Sequence, residues 1–188
     1  MLKPKRLSTS IAVTLTAVLL VYAGVEFAHW RLRPLRHSPA IEFPAVPISQ
    51  TEVEQFLDGD FQLITDIQAL PKPLIEAFTE TGGSRLTIAD PGERFQVTDV
   101  VLDPSLPWKR LLFAGLSGNK CFMLYEQGGD IHFYVLALFK LSPPNRLIPI
   151  SQGSCEAAAD IAELRSHVSL GLCSRPMPFY SVPHVTDH

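Results

Sequence analysis

A thiol and an imidazole, Cys121 and His132, are the first residues in this chain whose types could support a reaction. A thiolate nucleophile needs an imidazole within hydrogen-bond reach and an electropositive setting. If Gly128-Gly129 are the two central residues of a hairpin, Tyr125 faces His132, Met123 faces Tyr134 and Cys121 faces Leu136. Cys121 and His132 then share a face but stand about 13 Å apart along the strand, by the rise of extended chain. The pair is therefore out of reach, and Cys121 reads as a small buried apolar residue. Glu126 and Asp130 flank the same turn, where two acids are ordinarily solvent-facing, and a hairpin tip has no substrate cleft. Of His29, His37, His132, His167, His184 and His188, only the last two are four apart, and Pro183 precedes them in a tail not expected to be helical; no two cysteines stand in C-x-x-C. Neither a phosphate-binding glycine loop nor a G-x-S-x-G elbow occurs. The reading is no catalytic residue, no metal and no cofactor.

What remains is a surface. Extending the register through Gly118-Asn119 sets Leu116 opposite Cys121 and Leu112 opposite Tyr125. Alternation then predicts one face of Phe113, Phe122, Leu124, Ile131, Phe133, Val135 and Phe139, which packs on helices. The other carries Leu112, Leu116, Cys121, Met123, Tyr125, His132, Tyr134, Leu136 and Leu138. An open sheet usually shows polar residues on its second face. This one is apolar with phenols and an imidazole, so it is covered by the chain's own segments or by something else. Met123, Tyr125, His132 and Tyr134 form the candidate ligand or partner face.

The elements that must position these residues follow from period and punctuation. Ser49-Gln50-Thr51-Glu52 has capping-box spacing ahead of Val53, Phe56 and Leu57, giving a short helix that ends near Gly59. Phe61–Ile67 reads as a strand. Pro71 and Pro73 open a second helix with Leu74, Ile75, Ala77 and Phe78 on its apolar face, closed by Gly82-Gly83. The runs Arg85–Asp90, Phe95–Leu102, Lys109–Leu116, Lys120–Glu126 and Ile131–Leu141 are strand-like, and their short turns force antiparallel neighbours. A last helix is expected over Cys155–His167, capped by Ser154, with Glu156 and Asp160 near its positive end. The fold class is α+β, one layer of helix on an antiparallel meander. That order resembles the cystatin-like layout, an architectural resemblance that implies no function.

The chain ahead of this domain has a different character. Leu7–Val25 is an uncharged run whose helical length, roughly 28 Å, matches a bilayer core. Residues 1–6 read as a short basic cytoplasmic tail, 7–28 as a transmembrane signal anchor and 29–48 as a proline-rich linker. Residues 49–170 form the α+β domain and 171–188 a proline-containing irregular tail. The rival for the leader is a cleaved signal peptide ending at Val21-Tyr22-Ala23, which would release a secreted domain. Six basic residues and only Glu26 precede His37, whereas ten basic face eighteen acidic residues from there on, a balance of −8. An acidic body repels phosphate backbones, which excludes nucleic-acid binding as its main task. Outside the cytoplasm, Cys155 and Cys173 could close a disulfide, leaving Cys121 as a thiol. The expectation is a single-pass protein of a bacterial inner membrane whose extracytoplasmic domain is a non-catalytic binding or accessory domain, docking a protein partner or an envelope ligand through the Tyr/His/Met face or the acidic surface. The alternatives are an envelope enzyme or redox protein using Cys121 or His132, and a structural subunit of a membrane complex.

Overall fold

The computed structural model describes residues 41–44, 48–79, 85–101, 103–144 and 146–173. The predicted span 7–28, the tail before it, most of the linker and residues 174–188 lie outside the described residues. No helix among the described residues is long and apolar enough to cross a membrane.

The domain is α+β, built on a six-stranded, mainly antiparallel sheet. Helix α1 (Gln50–Leu57) starts at the predicted capping box: Ser49 Oγ accepts from the Glu52 amide, and Glu52 Oε2 accepts from the Ser49 amide at 2.7 Å. Strand β1 (Gln62–Ile64) follows. A single 3-10 turn (Ile67–Ala69) then leads into α2 (Lys72–Ala77), with proline in its first turn. Next come β2 (Ile88–Ala89), β3 (Lys109–Ser117), β4 (Lys120–Gln127), β5 (Phe133–Ser142) and β6 (Arg146–Cys155). Helix α3 (Ile161–Ser169) closes the described chain, capped by the Asp160 carboxylate on the Glu163 amide. The sheet order is β1-β3-β4-β5-β6, and β2 lies alongside β3.

Several expectations are corrected here. Pairing of β2 with β3 is parallel, because the long Pro91–Trp108 segment separates them and permits a crossover. Phe95–Leu102 contributes only the bridge Thr98–Gly129 among its described residues, not a strand. The last helix begins at Ile161, not Cys155, because residues 146–155 pair along β5. Proline at 149 hid that strand, yet a proline is tolerated where a sheet ends.

Helices cover both faces, not one. Val53, Phe56 and Leu57 of α1 and Leu164 and Val168 of α3 pack on Phe113, Phe122, Leu124, Leu136 and Leu138. On the opposite face Ile67, Leu70, Leu74 and Phe78 cover Leu111, Cys121, Met123, Tyr125, Val135, Ala137 and Phe139. Phe122 lies tight over Gly115, its pair partner, where an added Cβ would sit 2.2 Å from the ring. Two cations lock the end of α1: Lys120 Nζ donates to the carbonyls of Gln55 and Phe56, and Arg165 Nε to that of Leu57. These carbonyls have no partner within the helix, and positive charge suits that end.

The linker meets the domain at one end of the sheet. Ile41 and Phe43 pack on the second core, with Phe43 5.5 Å from Phe139, while Ile48 packs on the first. Phe139 pairs with Cys121, close to the Gly118-Asn119 turn. The other end of β4, at Glu126, is about 17 Å away by strand rise.

Candidate functional site

The predicted partner face does not form as one face. In the structure Tyr125 pairs with Val135, Met123 with Ala137 and Cys121 with Phe139. The loop joining β4 to β5 is longer than a two-residue turn, because its glycines are bound elsewhere. The Gly128 amide donates to the Trp108 carbonyl and the Gly129 amide to that of Val97. A Cβ on Gly128 would lie 1.8 Å from the Gln96 carbonyl oxygen, so glycine is required for this approach. The three-residue change in register flips every side chain of β5. Met123 and Tyr125 are buried among the α2 contacts, with Tyr125 edge-on to Phe78 at 5.9 Å. Tyr134 is on the other side of the sheet, beside His132 at 5.4 Å.

His132 and Tyr134 instead join a cluster that the sequence did not single out. A bulge near Leu112 moves Arg110 opposite Glu126 and Leu111, not Leu112, opposite Tyr125. Arg110 donates through Nε and Nη2 to Glu126 Oε1 at 2.9 and 2.7 Å. The other carboxylate oxygen, Oε2, lies 3.0 Å from His132 Nε2. The Glu126 side chain is 10 % exposed, against 29 % for Arg110 and 35 % for His132. One nearly buried carboxylate is thus held by two partly exposed nitrogen groups, as a buried charge requires.

This cluster clamps two segments. The Arg110 guanidinium lies 4.5 Å over the Phe95 ring and donates to the Glu93 carbonyl, fixing the stretch from Glu93 onward. His132 fixes the turn after Gly129 and touches Phe95 at 6.1 Å. Gln96 is buried: its amide donates to the Pro107 carbonyl and its Nε2 to that of Val100. On this frame Val97, Val100, Val101 and Ile131 stand 43, 59, 38 and 49 % exposed. These four aliphatic side chains are exposed beside backbone that is hydrogen-bonded at Gln96, Val97 and Val100. They lie at the Glu126 end of the sheet, away from Phe43.

Thiol chemistry finds no support in the geometry. Cys121 is fully buried near the opposite end of β4, on the α2 side, while Glu126 and its partners are on the α1 side. Burial pushes its thiol from 9.0 up to about 12, far from a reactive thiolate. Asp130 is exposed, and Glu126 is engaged by Arg110 and His132, so the two acids do not work as a pair. On the α2 side, burial draws the Lys109 ammonium below its usual range. Among the described residues no group of three or more His, Cys, Asp or Glu side chains could hold a metal. Cys155 and Cys173 are joined by a disulfide that ties the end of β6 to the segment after α3.

The paired charges carried a faint sequence signal, since opposite charges near the two ends of a predicted hairpin can meet. An unbulged hairpin, however, sets Arg110 opposite Gln127. The β-branched run that holds Val97, Val100 and Val101 has the pattern of a strand, which carries no sign of exposure. Comparison with protein-family models, curated proteins and solved structures finds no match.

Proposed function

We propose that this chain is a single-pass protein of the bacterial cell envelope, anchored by residues 7–28, whose α+β domain outside the cytoplasm docks a protein partner without catalysis. The observation that carries the docking role is the Val97, Val100, Val101 and Ile131 surface, held by the Arg110–Glu126–His132 clamp. The position of the linker supports it. Residues 41–43 join the domain at the other end of the sheet, so a domain tethered through them has this surface free to meet a partner. The Cys155–Cys173 disulfide agrees with an oxidising compartment. The −8 balance from His37 onward disfavours nucleic acid.

The test is site-specific photo-crosslinking in intact cells, with the photoreactive residue at Val100 or Ile131 and, as control, at the exposed Lys140 on β5. A discrete cross-linked protein at both valine-end positions and none at Lys140 is the expected result. Equal yields at all three positions would overturn the docking role.

A further inference from the structure

Resting on that docking reading, we propose that the occupant of the Val97–Val101 and Ile131 surface is a protein segment that is both apolar and cationic. The exposed anchors are all aliphatic. A surface that inserts into lipid combines apolar side chains with aromatic and basic neighbours. Here His132, next to Ile131, is already paired with Glu126, and two acids stand in the same stretches: Asp99 between Thr98 and Val100, and Asp130 before Ile131. Both are exposed, and neither has an ion pair among the described residues.

Three other acids at this end are already engaged, and the exposed Glu93 is followed directly by the exposed Arg94. Asp90 accepts from the Ile67 amide, Asp103 accepts from Ser105 and feels Arg85 and Arg94, and Glu126 is held by Arg110 and His132. Asp99 and Asp130 are therefore open carboxylates beside the aliphatic surface, in a body that is acidic as a whole. An anionic bilayer is repelled by such a rim. A cationic segment is steered toward it, and its apolar side chains then cover the valines.

The experiment uses the full chain in phosphatidylcholine nanodiscs with its valine and isoleucine methyl groups isotopically labelled for NMR. Three probes are titrated: a short peptide alternating leucine and lysine, its leucine–glutamate counterpart, and phosphatidylglycerol vesicles. The expected result is a response of Val97, Val100, Val101 and Ile131 to the lysine peptide alone. Affinity should fall about five-fold in the double variant Asp99→Asn with Asp130→Asn, two exposed charge contacts being lost. Equal binding of the glutamate peptide, or unchanged affinity in the double variant, overturns the cationic assignment and leaves the docking role standing. A response to the vesicles moves the occupant to the membrane and overturns the proposal. Silence of all four residues toward the lysine peptide overturns it too, whereas the docking role is judged separately by the cross-linking at Val100.

Discussion

Removing the Glu126 carboxylate should be far more damaging than removing a surface acid, and the structure supplies a matched control. The charges of Arg110 and Glu126 are centred about 4 Å apart, which at an effective dielectric of about 20 gives about 4 kcal/mol of gross attraction. Desolvating Glu126 offsets much of this, and Arg110 is partly wet, its side chain 29 % exposed. A net coupling of about 1.5–2 kcal/mol remains. Lys72 and Glu76 also form an ion pair, at 3.6 Å, but their side chains are 78 and 63 % exposed. Such a helical pair contributes about 0.3–0.5 kcal/mol. Two double-mutant cycles compare them: Glu126→Ala with Arg110→Ala, and Glu76→Ala with Lys72→Ala. Urea unfolding of the full chain in detergent reports each, followed by Trp108 fluorescence in a Trp30→Phe background. Glu126→Ala alone should cost about 2–3 kcal/mol, because it leaves Arg110 and His132 without their shared acceptor. A coupling at Arg110–Glu126 no larger than that at Lys72–Glu76 would refute the clamp.

Three further outcomes follow from the same geometry. The Cys155–Cys173 bridge closes a loop with a sequence separation of 18, and chain entropy gives about 3 kcal/mol for a loop of that size. Cys155→Ser with Cys173→Ser should lower urea stability by about that amount, and an unchanged midpoint would contradict the bridge. Burial raises Cys121 from 9.0 to about 12, so over that window the unfolded chain releases a proton that the folded chain keeps. Stability should therefore fall as pH rises from 9 toward 12, at about 1.4 kcal/mol per unit. Cys121→Ala should remove that slope from the pH profile; the same slope in both proteins would show that the thiol is not buried. Gly128→Ala should cost about 3 kcal/mol, since its Cβ meets the Gln96 carbonyl. Gly118→Ala meets nothing within 4 Å and strains only its backbone at φ +57°, so it should cost less; the reverse ranking would contradict the packed turn.

Local signals in the sequence are legible where they are self-contained. Ser49 and Glu52 satisfy each other's backbone within one turn of helix, so their spacing alone located α1. The Gly118-Asn119 turn takes one outside bond, from the Leu141 amide to the Asn119 carbonyl, without a change of register, and Leu116 pairs with Cys121 as its geometry required. The Gly128-Gly129 turn failed because distant residues set its shape: Trp108 and Val97 take its amides. That three-residue change in register moved Tyr134, Leu136 and Leu138 to the other face and dispersed the expected aromatic surface. Pro149, Ser151 and Gly153 weaken the strand pattern of β6, although β5 supplies partners along its length. The clamp was illegible for a related reason. A bulge is a tertiary choice, and only the bulge at Leu112 brings Arg110 to Glu126.

Whether the domain is anchored and faces outward is decided by a reporter enzyme active only outside the cytoplasm, fused after His188. An active fusion of uncut length that stays with the membrane is the expected result. An active product shortened by about 23 residues and free of the membrane would mean that Ala23 ends a cleaved leader. A stable but inactive fusion would put the domain in the cytoplasm and contradict the account.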